Sequence, residues 1–252
     1  MIPDSDDRTG YSHSHQEQFD ERQRLWKAKK IVSVLLDFLP NTRNLDLLEM
    51  GCSAGFATSA CARHFRSATG IDLDEAAVEF ARRTFEGPNL SFQIGDAIHT
   101  DFPNESFDVI VCNHVYEHVE NAEDLMKEIE RVLKPGGVCY FGAGNRLILI
   151  EPDNRLPFLS ILPRPLANAY VRLTGRGNEY HERLYTCWGL RKLVKAFDVV
   201  DYTPRIVEEP ETFAATDMLL PGSFKQKMAA FAVRRLYCLF PTYIWLLIKK
   251  KT

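Results

Sequence analysis

The 252 residues suit one large domain, or one domain with an elaborated cap, and the 45% hydrophobic fraction can build a full core. A net charge of −3 gives no global basic field, which argues against a nucleic-acid partner. The six cysteines are scattered without a CxxC or CxxxC pair, so they read as small buried hydrophobes in a reducing compartment, not as a disulfide or zinc framework.

Met1 to Gln18 is polar and acidic, without the apolar core of a secretory signal. Nothing reaches the ~18 continuous apolar residues of a membrane span. The expectation is a cytoplasmic protein. Residues 1–16 read as a flexible N-terminal lid or tail, with His13 and His15 flanking Ser14 and Tyr11 as the aromatic contact of a lid that orders over a ligand. From Gln16 to Leu39, Phe19, Trp26, Ile31, Val34, Leu35 and Phe38 recur on one helical face, and Pro40 with Asn41 ends it. This helix is expected to pack on the sheet beside the first strand.

Leu45 to Met50 is an apolar run ending in an acid, Glu49, then Gly51 and Gly55, then a helix-forming stretch from Phe56 to Phe65. Strand, glycine turn and helix form a nucleotide-binding βα unit. The spacing is Glu-x-Gly-x-x-x-Gly, not Gly-x-Gly-x-x-Gly. The missing middle glycine leaves less room for a pyrophosphate at the helix N-terminus, and an acid there repels phosphate and attracts a cation. A ligand with a nucleoside, a positive centre and no phosphate fits better.

Ala68 to Asp72 reads as the second strand. Asp72 sits about 20 residues past the first glycine, the usual offset for an acid on ribose hydroxyls. Leu73 would pack on a base, and Asp74 with Glu75 opens a helix. Leu90 to Ile94 alternates as a short strand, followed by Gly95, Asp96 and Ala97. Phe107 to Cys112 is nearly all apolar, hence a strand buried on both faces, and runs into Asn113-His114-Val115-Tyr116-Glu117-His118. His114 and His118 have the spacing of a zinc pair but lack the glutamate that follows the first histidine in zincins, so no metal is expected. Ala122 to Leu133 is an amphipathic helix; Lys134-Pro135-Gly136-Gly137 reads as a break and tight turn before a fifth strand, Val138 to Phe141.

Four segments in this order resemble the class I S-adenosylmethionine (SAM) dependent methyltransferases: Glu49 to Gly55 as motif I, Asp72, Asp96-Ala97, and the strand leading into Asn113, with Glu128 to Gly137 as the helix and turn that follow. The resemblance covers residues 44–142. It implies a doubly wound α/β fold with a mostly parallel seven-stranded sheet, SAM as cofactor, and methyl transfer. It implies cofactor contacts at Glu49, Gly51, Cys52, Ser53, Gly55, Asp72, Leu73, Asp96, Ala97, Asn113 and His114, with Asp96 and Ala97 near the adenine amine and His114 also at the transfer site. Glu117 and His118 read as holding the loop.

The domain runs over 17–252, with an acceptor-side insert at 146–185. That insert is rich in Leu, Ile and Phe and carries Arg146, Arg155, Arg164, Arg172, Arg176 and Arg183. It suits an amphiphilic acceptor or contact with a membrane surface, or forms a packed subdomain whose arginines are solvated or paired. Gly175 and Gly177 precede Tyr180 and His181; His181 is the candidate general base, since imidazole titrates near neutral pH, and Tyr180 and Arg146 are candidate substrate contacts. Thr186 caps a helix with Trp188, Leu190, Leu193 and Val194 inward. Val199 begins strand six, 204–222 is loop-rich, and Ser223 to Phe240 is helical. Thr242 to Ile248 reads as a seventh, antiparallel strand in preference to a membrane anchor.

The reading is a SAM-dependent enzyme acting on a small or lipid- or glycan-linked acceptor, at oxygen, with peripheral membrane contact and no obligate protein partner. The rivals are an NAD-dependent oxidoreductase on the same topology and a non-catalytic, membrane-associated SAM-binding protein.

Overall fold

A computed structural model describes residues 21–251. The expectations for Tyr11, His13 and His15 lie outside the described residues. One sheet of seven strands has the order β3-β2-β1-β4-β5-β7-β6. The strands are β1 (Asp46–Met50), β2 (Ser67–Asp72), β3 (Leu90–Ile94), β4 (Phe107–Asn113), β5 (Leu133–Gly144), β6 (Phe197–Asp201) and β7 (Thr242–Lys249). The first five pair in parallel, and β7 runs antiparallel to both of its neighbours. This is the mostly parallel doubly wound sheet expected from the sequence. A parallel sheet is covered on both faces, which is why β1, β4 and β5 are nearly continuous apolar runs.

Alternation along β1 divides its residues between two cores. Leu48 and Met50 join Ile110, Cys112, Cys139, Phe141 and Trp245 under the helix α4 (Ala122–Val132), which buries Leu125, Ile129 and Val132 there. Leu47 faces the other way, with Val109, Val111, Val138 and Tyr140, under α1 (Glu21–Phe38). Ile31, Val34 and Leu35 are the buried stripe of α1, so this helix packs beside the first strand as its pattern indicated. On the same face lies α2 (Phe56–Ala62), which starts directly after Gly55. The helix α3 (Glu75–Thr84) is capped by Asp74, whose side chain accepts from Ala77 N at 3.1 Å. The expected cap at Thr186 also forms, on α6 (Cys187–Leu193).

Some local expectations need correction. Lys134-Pro135-Gly136-Gly137 is not a turn ahead of the fifth strand. The strand begins at Leu133, opposite Phe107, and the register shifts before Val109 pairs with Val138, so the Pro-Gly-Gly run is a bulge inside β5. Trp188 does not face inward: it is 60% exposed, while Cys187 and Leu190 fill the buried side of α6. Within the stretch read as loop-rich, Thr203–Glu208 forms a short helix, α7. The long helical reading after Ser223 resolves into α8 (Phe224–Arg235) and a 3-10 turn, Tyr237–Leu239.

Residues 146–185 form a hairpin-like loop closed by an Ile150–Pro157 bridge, a 3-10 turn at Leu159–Ile161, the helix α5 (Arg164–Leu173) and an extended strap to Thr186. They have a small core of their own, made by Leu156, Leu159, Ala167, Val171 and Tyr180. Among the described residues, no helix is long and apolar enough to cross a membrane.

Candidate active site

The carboxyl ends of β1, β2 and β4 sit side by side, the place where open α/β sheets bind ligands. The turn after β1 is built by close approach. Gly51 N and Cys52 N both donate to Ile71 O at 2.9 Å, which ties the turn to β2. Gly55 has φ +80°, and a Cβ there would fall 2.7 Å from Ala81 Cβ and from the Phe92 ring. Ser53 also adopts a left-handed conformation, at φ 48°. Its N–H donates to Asp72 Oδ2 at 2.7 Å, while Asp74 N donates to Oδ1 at 2.9 Å. Asp72 therefore organises two turns at once. Burial raises its pKa against those two donors.

Glu49 points to the α1–α2 side, where it is buried and accepts from Thr58 Oγ1 at 2.5 Å. Burial pushes its pKa up to about 7, opposed by Thr58 and raised further by Asp72. In the unfolded chain the acid ionises near its ordinary 4.5, whereas in the folded chain it holds its proton to about 7. The stability this group contributes is full below about pH 4.5 and is lost as pH rises toward 7; it is worth about 3 kcal/mol. Glu49→Gln should flatten the fall in stability between pH 5 and 7 in urea titrations. An unchanged slope would contradict the buried, protonated acid.

Glu49, Gly51, Cys52, Ser53, Ala54, Gly55 and Asn113 line a small cleft open to solvent, closed on one side by Arg24, Lys27, Ala28 and Ile31 of α1. Arg24 and Lys27 were missed from the sequence, where α1 served only as packing. A signal was present: 24, 27, 28 and 31 share one helical face, and the two basic residues extend the apolar stripe toward the glycine turn. Burial holds the Cys52 thiol well above its ordinary range, with Asp72 and Glu49 adding to this, so it lines the cleft as a neutral group.

Of the other expected contacts, Asn113 lines this cleft, and Leu73, Asp96, Ala97 and His114 are not among its lining residues. Asp96 and Ala97 follow β3; Asp96 Oδ1 accepts from Ile98 N at 3.0 Å, and Ala97 is buried with Ile71 and Tyr116. Leu73 is half-buried between Asp72 and Asp74. Asn113 ends β4 so close to β5 that a Cβ on Gly142 would meet Asn113 Oδ1 at 2.1 Å. His114 has φ 57°, its N–H donates to Gly142 O at 2.8 Å, and its Nδ1 lies 2.8 Å from Glu117 Oε1. Burial works to raise the Glu117 pKa, but His114 and then His118 outweigh it and hold this carboxyl below its ordinary range. A buried carboxylate thus orients a half-exposed imidazole, the arrangement of a base with its positioning group.

The strap closes over this pair. Arg183 N donates to Glu117 O at 2.8 Å, and Tyr185 N to Tyr116 Oη at 3.1 Å. The residues of 146–185 singled out from sequence do not converge with it. Arg146 braces the segment through Nε to Ser160 O at 3.1 Å. Tyr180 is buried in the segment's own core, not on the cleft. His181 is exposed, and its carbonyl, not its ring, makes the described contact, with Arg164.

Comparison with known proteins agrees with this geometry. Residues 48–141 match the family model described as a methyltransferase domain. This segment is therefore similar to methyltransferase domains. The chain is 30% identical over 102 residues to a ubiquinone biosynthesis O-methyltransferase of Coxiella burnetii, covering 40% of this chain and 44% of that one. It is 34% identical over 140 residues to a phthiotriol/phenolphthiotriol dimycocerosates methyltransferase of Mycobacterium tuberculosis, covering 52% and 50%. The chain thus spans about half the length of the curated relatives it matches. Geranyl diphosphate C-methyltransferase from Streptomyces coelicolor, solved with S-adenosyl-L-homocysteine, shares the fold at TM-score 0.52 and 18% identity, over 87% of this chain and 76% of that one.

SAM is the cofactor that such a domain implies, and the donor set fits it. The cleft is lined by Glu49 and by the basic groups Arg24 and Lys27, which suit a carboxylate, and Asp72 is tied to its glycine turn through Ser53 N. The methyltransferase match sets aside the dinucleotide alternative.

Proposed function

We propose that the chain methylates a small or lipid- or glycan-linked acceptor at oxygen. The observation that carries the reading is the cleft at the tips of β1 and β4, with Asp72 tied to its glycine turn and the His114–Glu117 pair beside it. Bound SAM supplies an activated methyl group on a sulfonium. Asp72 would hold the ribose, Asp96 and Ala97 the adenine, and Leu73 the base face. Arg24 and Lys27 suit the methionyl carboxylate. Alignment and exclusion of water are what the protein adds to such a transfer.

A hydroxyl acceptor needs a group to take its proton. His114 is better placed for this than His181, because Glu117 fixes its Nδ1 and leaves the other ring nitrogen for an acceptor. The relative from Coxiella burnetii is an O-methyltransferase by name, which supports oxygen as the target. Exposed Leu149, Ile150, Phe158 and Leu166 on the 146–185 segment suit an apolar acceptor.

Purified protein should show saturable heat on titration with S-adenosyl-L-homocysteine and should transfer label from methyl-tritiated SAM to hydroxylated apolar compounds. His114→Gln should lower kcat by roughly 100-fold with little change in cofactor affinity. Label appearing only on protein or RNA would overturn the acceptor class, and absence of binding would overturn the cofactor site.

A further inference from the structure

Away from the cleft, the 146–185 segment gathers a group of oxygen donors that the methyl-transfer reading does not use. Glu151 is fully buried at the start of the hairpin-like loop, Asp153 lies two residues on, and Glu182 comes from the strap. One carboxylate oxygen from each lies within 4.8 Å of the others. Glu151 is fixed by its backbone: Oε1 accepts from Asp153 N at 3.1 Å and Oε2 from Asn154 N at 2.6 Å. An acidic cluster alone says little, since neighbouring acids can share protons. The second observation is Tyr180. This residue is only 6% exposed, and its buried hydroxyl has no hydrogen-bond partner. Tyr180 stands two residues before Glu182 on the same strap, and the charges that raise its pKa, after burial, are those of Glu182, Glu151 and Asp153, so the orphaned hydroxyl lies within electrostatic reach of the acids. Glu182 Oε2 is likewise buried without a partner.

We propose that Glu151, Asp153 and Glu182, with the Tyr180 hydroxyl, form a site for one divalent cation of the calcium class. All donors are oxygens, the choice of hard cations over zinc or copper. Calcium takes ligands at about 2.3–2.6 Å, so opposite ligands stand about 4.6–5.2 Å apart. The 4.8 Å span meets that without movement. Magnesium, at about 2.0–2.1 Å, would need the cluster to contract, and it rarely accepts an all-protein cage. The cation would join the 150–157 loop to the strap, whose next residue, Arg183, donates to Glu117 O. It would thereby steady the cover over His114.

The inference stands independently of the acceptor and of methyl transfer. The test uses the full chain stripped with EDTA. Equilibrium dialysis with radiolabelled calcium should find one ion per chain, with a Kd on the order of 10⁻⁴ M. Melting temperature should rise by roughly 5 °C at a hundredfold excess over Kd. Glu182→Gln and Asp153→Asn, which keep side-chain shape, should each weaken binding by roughly tenfold or more. Tyr180→Phe should weaken it less. No stoichiometric calcium on the wild-type chain would overturn the site, as would unchanged affinity in folded Glu182→Gln. Tighter binding of magnesium than calcium would overturn the assignment of the ion. A melting temperature that responds to pH but not to calcium would show that the acids hold a proton only.

Discussion

Replacing Gly55 by alanine is expected to lower the melting temperature by roughly 10 °C. Two costs add at this position. A left-handed conformation costs a residue with a Cβ about 1–2 kcal/mol, and forcing a methyl into packed side chains costs about 1–3 kcal/mol more. The neighbours are Ala81 Cβ on α3 and the Phe92 ring on β3, and both belong to the small core that also holds Cys52 and Val78. Neither is the free end of a flexible chain. Gly222 provides the control, because it has φ +73° but nothing within 4 Å of where a Cβ would stand. Gly222→Ala should show the conformational cost alone. Equal losses in the two variants would mean that the packing behind the turn after β1 is looser than described.

Asp72→Ala is expected to weaken S-adenosyl-L-homocysteine binding by roughly 100-fold. About 3 kcal/mol follows from losing hydrogen bonds to a charged group, and 1.4 kcal/mol is a factor of ten. The substitution also removes the acceptor of Ser53 N and of Asp74 N, so the turn between Gly51 and Gly55 loses its side-chain tie to β2. Asp72→Asn separates the two effects. It keeps an oxygen for one of the N–H donors while removing the charge, so it should hold the melting temperature closer to wild type than alanine does. Calorimetric affinity within threefold of wild type for the alanine variant would remove Asp72 from the site.

The parts of the structure that could be read from the chain are those fixed by local chemistry. Leu45 to Gly55 carries its strand, turn and helix start within a dozen residues, and a positive φ at Gly51 and Gly55 is what the glycines are for. Thr186 was recognisable as a cap because a cap depends on residues three positions away, whereas Asp74, read as part of the first helical turn, is itself the cap of α3. What failed depended on partners far along the chain. The Pro-Gly-Gly run at 135–137 looks like a turn until Phe107 pairs with Leu133 and makes it a bulge. Seven residues of α6 span only two turns, too few to phase Trp188 against Leu190. Tyr180 has the composition of a site residue, but its burial comes from Leu156, Leu159, Ala167 and Val171, which no spacing announces. Arg24 reaches the Glu49 neighbourhood only because α1 folds back over β1.

The placement of β7 bears on how the chain assembles at the ribosome. β6 leaves the exit tunnel before β7, yet its only described ladder is to β7, which also seals β5 along seven residue pairs from Val138 to Gly144. At roughly 5–20 residues per second, a few seconds separate the emergence of the two strands. During that interval the flank of β5 stands open, a template for wrong pairing between nascent chains. Trp245, Leu246 and Leu247 complete both faces of the sheet after the other six strands have been made. The protein's solubility in a cell should therefore depend on how promptly β7 slots home, and chaperones that shield exposed strands would matter most in that window.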